Sequence, residues 1–149
     1  MKFLIQVVEN ASVSSDGAVL GKIDRGFLVF VGVCNEDTEE IADKMVKKAV
    51  NLRIFEDENG KTNLSIGDIG GSMLVISQFT LYADCKKGNR PSFIKAGDPV
   101  HAEQMYEYVI SELKNTYGIN TETGRFGADM KVSLVNDGPF TIYLDSDEL

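Results

Sequence analysis

Proline has no N–H to give a β-ladder, so it is excluded from the middle of a sheet. The segment 132–145, VSLVNDGPFTIYLD, sets that rule against its surroundings. Val132, Leu134, Phe140, Ile142 and Leu144 are the residues of a sheet, yet Asn136-Asp137-Gly138-Pro139 stands between them. A hairpin turn would use these four residues. So would a fixed backbone wedge that something must fit against. These letters alone favour the turn, and the choice depends on the rest of the chain.

At 149 residues the chain suits one domain, 1–149, with a sizeable core. No run of about 18 apolar residues is present, so no transmembrane helix is expected. The start, MKFLIQVVENASV, has the outline of a signal peptide, but its apolar stretch is short and Glu9 and Asn10 end it. It reads as a first strand, which makes the cytoplasm the expected location. The net charge of −8 argues against broad, non-specific binding of nucleic acid. It leaves room for a protein that touches only the end of an RNA. Lys86, Lys87 and Arg90 are the one local basic group, and composition alone makes them a solvated loop. Cys34 and Cys85 are far apart, and His101 is the only histidine. No zinc pattern forms, and neither a metal nor a cofactor is expected.

Along the chain, residues 2–9 and 11–14 favour strand, and Ser15-Asp16-Gly17 is a turn. Residues 18–23 and 27–33 are two further strands, with Asp24-Arg25-Gly26 read as a hairpin connection. Asp37 and Glu40 have capping-box form, with Thr38 as the rival cap. Behind them Ile41, Met45 and Ala49 make one helical row and Ala42, Val46 and Val50 the next, to about Asn51. Lys44, Lys47 and Lys48 fall mostly on the other face. Residues 57–60 are a turn. Residues 73–79 form a continuous apolar strand for the middle of the sheet. Asp98-Pro99 opens a second helix carrying Met105, Val109 and Leu113, and Gly118 fits just past its end. Strands at about 119–123, 129–136 and 140–145 follow. The fold class is α/β with a mixed sheet, not a doubly wound dinucleotide fold.

The usual catalytic sets are missing. A nucleophile–histidine–carboxylate triad would rest on His101, in the first turn of a helix. No G-x-S-x-G elbow, Walker loop or G-x-G-x-x-G fingerprint occurs. What remains is backbone: preorganised N–H groups can hold a developing oxyanion, which suits an already reactive substrate such as an ester.

Four stretches then stand out: Ser77-Gln78-Phe79-Thr80-Leu81; Lys87-Gly88-Asn89-Arg90-Pro91-Ser92-Phe93; Gly124-Arg125-Phe126-Gly127-Ala128-Asp129-Met130; and Asn136-Asp137-Gly138-Pro139-Phe140-Thr141. In this order, with NLRIFED at 51–57, they resemble the D-aminoacyl-tRNA deacylases over essentially the whole chain. The resemblance implies a single-domain, barrel-like mixed sheet with two main helices. It implies a homodimeric, metal-free hydrolase that cleaves the ester between a D-amino acid, or glycine, and the terminal adenosine of tRNA. The partner is the tRNA acceptor end, not DNA and not a membrane.

Residue roles follow from the same resemblance. Ser77, Gln78, Phe79 and Thr80 would form the catalytic strand end, with Phe79 and Thr80 giving backbone donors near the ester. Gly138-Pro139 of one subunit would enter the other's pocket with a cis peptide bond, as a polar wall that an L side chain strikes and a D side chain avoids. Phe126 and Met130 would line the adenine pocket. Lys86, Lys87 and Arg90 would meet acceptor-end phosphates. A nucleophilic Thr80 is the competing mechanism; water attack assisted by the substrate's own 2′-hydroxyl is preferred. One departure stands out: Val7 occupies the place of an arginine thought to hold the Gly-Pro wedge. It leaves the proline isomer open and keeps as alternatives a relaxed-chirality enzyme clearing L-alanine from tRNA and a non-catalytic dimer binding an RNA end or nucleotide.

Overall fold

The first strand organises the sheet. The computed structural model describes residues Met1–Leu149, and β1 (Lys2–Ser15) runs unbroken through the expected stop near Asn10. Asp16 (φ 50°) and Gly17 (φ 77°) make a two-residue turn with both φ positive, whose twist matches that of paired strands. β2 (Ala18–Ile23) therefore folds back on the outer half of β1, with Ser15 opposite Ala18. β3 (Gly26–Gly32) pairs with the inner half, from Val8 opposite Gly26 to Lys2 opposite Gly32. β2 and β3 thus lie end to end along one edge of β1. The expected hairpin at Asp24-Arg25-Gly26 is instead a corner, because both strands already spend their ladder groups on β1.

The strand that holds the Gly-Pro dipeptide takes the other edge. After the elements described below, β8 (Lys131–Asp145) pairs with β1 from Lys2 opposite Asp145 to Ser14 opposite Lys131. Gln6 faces Thr141 and Val8 faces Asn136, so one residue of β1, Val7, stands against four of β8, 137 to 140. Those four leave the ladder. The segments expected as two strands, 129–136 and 140–145, are halves of one strand running in a single direction, and the hairpin reading is corrected. The Gly138–Pro139 peptide is cis, and Gly138 has φ 129°, a backbone setting that suits glycine.

Two short strands complete the sheet. β6 (Ser72–Ser77) is parallel to β3, and β7 (Asn120–Thr123) is parallel to β6. β2 returns to β7 so closely that a Cβ on Gly21 would stand 2.7 Å from the Thr123 carbonyl oxygen. The mixed sheet therefore nearly closes as a barrel. Its inside holds Val8, Val13, Leu28, Leu74 and Ile76, and its outside packs Phe3, Phe27, Met73 and Val75 beneath two helices. β6 is buried on both faces, as its continuous apolar run requires. It ends at Ser77, two residues earlier than expected: the Gln78 N–H still bonds the Val31 carbonyl, and then Phe79–Tyr82 turn as a 3₁₀ helix.

α1 (Glu39–Val50) is capped by Thr38, the rival cap, whose hydroxyl accepts from the Ile41 N–H at 3.4 Å. Asp37 is buried instead. It accepts from the Met1 amino group at 2.6 Å and from the Cys34 N–H at 2.8 Å. α2 (Pro99–Ser111) is capped by Asp98, passes into a π-helical turn, Glu112–Thr116, and is followed by Gly118 in the left-handed region (φ 64°). The turn at 57–60 closes a small hairpin, β4 (Phe55–Glu56) with β5 (Thr62–Leu64), apart from the main sheet. Those strands are too short for their composition to reveal. No helix is long and apolar enough to cross a membrane.

Closure between β2 and β7 is testable. Gly21→Ala places a methyl against backbone that cannot yield, so it should cost about 1–3 kcal/mol, as overpacking does. The expected reading is a lower urea midpoint with an unchanged slope. An unchanged midpoint would mean that β2 and β7 do not meet this closely.

Candidate active site

β3 and β6 end together, with Val31 paired to Ser77. β7 stops sooner, at Thr123 opposite Val75, and the chain at 124–130 swings away. A cleft opens at the carboxyl ends of these parallel strands, where α/β sheets commonly bind ligands. Two cavities occupy it. The larger, about 410 Å³, includes Val33, Phe93, Ala102 and Phe126 in its wall. The smaller, about 230 Å³, includes Phe30, Gln78, Asp129 and Met130. Ser77, Phe79 and Gly127 line both.

Phe79 is 54 % exposed, and its ring meets Phe93 edge-on with centroids 5.1 Å apart. Phe126 lies 6.0 Å from the ring of Tyr106, a buried residue of α2. The Tyr106 hydroxyl donates to the Val75 carbonyl at 2.7 Å, at the residue where β7 ceases to pair. Burial pushes this phenol up, so it keeps its proton and remains a donor. Tyr106 thus ties the strand that ends in the cleft to the aromatic wall beside it.

The polar groups of the cleft are few. The Gln78 side-chain amide donates to the Thr80 hydroxyl at 2.5 Å. An amide takes no proton, so it does not activate that oxygen as a nucleophile. Phe79 and Thr80 open the 3₁₀ turn, and N–H groups in that position have no acceptor within the turn. The turn closes through the Leu81 N–H to the Gln78 carbonyl at 3.2 Å and the Ala83 N–H to the Thr80 carbonyl at 3.0 Å. Neither cavity is lined by histidine or cysteine. The one carboxylate, Asp129, has a side chain 90 % exposed and lies 3.4 Å from Lys131. His101 borders neither cavity, and its Nε2 has no partner. Burial pushes the Cys34 thiol up, away from the reactive thiolate. No three His, Cys, Asp or Glu side chains converge as a metal site would require.

The other expected residues are distributed as follows. Ser77, Gln78 and Phe79 line the cleft, whereas Thr80 is exposed, lines neither cavity and is tied to them through the Gln78 amide. Phe126 and Met130 line different cavities with Phe79 shared between them. Lys86, Lys87 and Arg90 are exposed on a loop pinched off by the Asp84–Ser92 bridge, just before Phe93. Gly138 lies elsewhere, beside a cavity of about 140 Å³ shared with Val7, Arg25, Phe55, Asp137 and Phe140. Val7 pairs at the level of Phe27, four residues down β3 from Val31, or about 13 Å along the strands. Within one chain the dipeptide and the cleft do not meet. Arg25 lines the cavity beneath Gly138, its guanidinium 5.3 Å from the Phe55 ring. Sequence reasoning missed its place because Asp24-Arg25-Gly26 looked like an ordinary connection. Tyr106 was missed because it belongs to an apolar helical row.

Residues 4–145 match the family described as D-Tyr-tRNA(Tyr) deacylase. The D-aminoacyl-tRNA deacylase of Thermosipho melanesiensis is 49 % identical over 98 % of this chain and 97 % of that one. That of Desulfatibacillum aliphaticivorans is 51 % identical, over 98 % and 99 %. A solved structure described as the c-Myc DNA Unwinding Element Binding Protein superposes with TM-score 0.92 at 41 % identity, covering 97 % of this chain and 98 % of that one. A probable eukaryotic D-amino acid tRNA deacylase shares the fold, with TM-score 0.85 at 14 % identity over 96 % and 97 %. A match of this extent settles the membership: the chain belongs to the D-aminoacyl-tRNA deacylase family.

Proposed function

We propose that residues 1–149 act as one deacylase domain that hydrolyses the ester of D-aminoacyl-tRNA in the cytoplasm, releasing the D-amino acid and free tRNA. The observation that carries this reading is a strand-end cleft with aromatic walls, lined by no histidine or cysteine and by no carboxylate but the exposed Asp129. Such a site can do little for a stable amide. It suits a substrate whose carbonyl is already reactive.

In this reading the terminal adenosine takes the larger cavity against Phe126, with Met130 across Phe79. An aromatic face and a thioether both suit a base. The ester carbonyl meets the N–H groups of Phe79 and Thr80. Water adds to it, the oxyanion is held by those N–H groups, and collapse expels the ribose oxygen, which regains a proton. The substrate's neighbouring 2′-hydroxyl relays the proton. Ser77 and Gln78 shape the strand end, and the Gln78 amide fixes the Thr80 side chain.

Handedness is assigned to Gly138-Pro139 of a second copy. One chain keeps the dipeptide and the cleft apart, so only a partner can bring them together. The outer edge of β8 has no strand beside it, and Leu134, Val135 and Tyr143 on it are exposed, which supports pairing of two copies. The dipeptide's carbonyls then wall off an L side chain. Glycine has no side chain to exclude, so glycyl-tRNA is accepted too. Lys86, Lys87 and Arg90 are assigned to acceptor-end phosphates.

The direct test is deacylation of D-Tyr-tRNA beside L-Tyr-tRNA, with a rate ratio of about 100 or more expected. Equal rates would select the relaxed-chirality reading. No turnover of either would leave an RNA-end-binding dimer.

Two substitutions probe the mechanism. Thr80→Ala should retain kcat within about tenfold, since the donors are backbone. A trapped acyl ester on Thr80 in the wild type, with a dead variant, would install the covalent route. Gly138→Ala adds a Cβ 2.8 Å from the Phe140 nitrogen at φ 129°. It should cut the D-over-L ratio about tenfold or more, with an unchanged circular dichroism spectrum. Retention of the full ratio would remove the dipeptide from selection.

A further inference from the structure

The largest cavity of the molecule, about 660 Å³, lies away from the cleft on the outer face of α1. Lys44, Lys47, Lys48 and Asn51 share one helical face, and Arg53 extends the lining beyond the helix. Four cations line this cavity and no Asp or Glu side chain does. None of the four is in an ion pair; the four pairs of the molecule use Met1, Lys2, Lys95 and Lys131. Asp43, beside Lys44 in the chain, accepts instead from the Tyr108 hydroxyl at 2.9 Å. The Arg53 guanidinium is held by the Asn63 carbonyl and side chain. Lysines in the last turn of a helix favour its dipole, which accounts for Lys47 and Lys48. It does not account for Arg53, nor for the absence of any Asp or Glu among the residues of this concave face, which Leu149 completes, on a chain of net charge −8.

The position of this cavity carries the argument. Asn51, Leu52 and Arg53 line it, and the next three residues, Ile54, Phe55 and Glu56, line the cavity beneath Gly138. Arg53 and Phe55 stand about 7 Å apart at extended spacing. The Arg53 side of the cationic cavity therefore adjoins the cavity beneath the extruded dipeptide, while Leu149 marks its other side. If Gly138 reaches a partner's cleft, the Arg53 side is delivered to the mouth of that cleft, where RNA must emerge.

We propose that the cavity lined by Lys44, Lys47, Lys48 and Arg53 binds phosphates of the tRNA whose 3′ end lies in the partner's cleft. This rests on the deacylase reading above. The ligand is the phosphodiester backbone, and the contacts set affinity and position without reading sequence. One copy thereby holds the body of the substrate that the other hydrolyses.

The test compares two substrates, D-Tyr-tRNA and 3′-D-tyrosyl-adenosine, which lacks the phosphates. In the full-length dimer, Lys44→Ala/Lys47→Ala/Lys48→Ala should raise KM for the tRNA about tenfold at low salt with kcat unchanged. The slope of log(kcat/KM) against log salt should become shallower by about 2, corresponding to two or three lost phosphate contacts. Kinetics on the adenosine ester should not move. The triple Lys→Arg variant, which keeps the charge, should behave as wild type. An unchanged KM for tRNA overturns the proposal, and so does an equal loss on both substrates. If the wild type cleaves neither substrate, the deacylase reading falls and takes this one with it. Normal turnover of both by wild type and triple alanine variant defeats only the phosphate site.

Discussion

One strand fixes the geometry of both ends of this molecule. β1 runs from Lys2 to Ser15, and its neighbours on both edges break near Val8. On one edge β2 ends and β3 begins around Asp24-Arg25; on the other, β8 sheds residues 137–140 opposite Val7. Each length of ladder is ordinary by itself. Together they leave the dipeptide no freedom to pair, because the residues before and after it are already committed to the same partner strand. The extrusion is thus a consequence of long-range pairing rather than of proline alone. Val7, 4 % exposed, fills the core beneath the interruption.

The cleft follows from a second mismatch of lengths. β3 and β6 end in step, β7 falls short, and Tyr106 caps the carbonyl that β7 leaves behind. Strand ends present main-chain groups that no side chain had to be recruited to supply. Under the proposed function such a site tolerates variation in the group it holds, because it would grip atoms common to every aminoacyl ester. Under the proposed function this breadth needs a separate device for handedness, and the fold keeps that device at the other end of the chain.

Much of this was legible in the sequence. Ser15-Asp16-Gly17 marked its turn, the apolar run before Ser77 announced a strand for the middle of the sheet, and the helical rows of α1 and α2 matched their buried residues. What failed to show were choices settled at long range. Asn-Asp-Gly-Pro satisfies a hairpin locally, and only the register with β1 excludes one. Asp37 and Thr38 both suit a cap; the Met1 amino group claims Asp37 and leaves Thr38 to the helix. The motif letters picked out Ser77, Gln78 and Phe79, which the fold places along the cleft. They did not reveal that Phe126 and Met130 open onto different cavities, because a seven-residue loop can turn its ends either way. Arg25 and Phe93 gained meaning only from what the fold places beside them.

A loop anchored at both feet to one strand cannot swing as a lid does. The extruded residues 137–140 are of this kind, so under the proposed function their target would be carried to them by rigid docking of another whole molecule. Selectivity would then be a property of assembly rather than of the folded chain. On that reading, dilution below the association threshold would leave a protomer its shape and its cleft while taking away its sense of left and right.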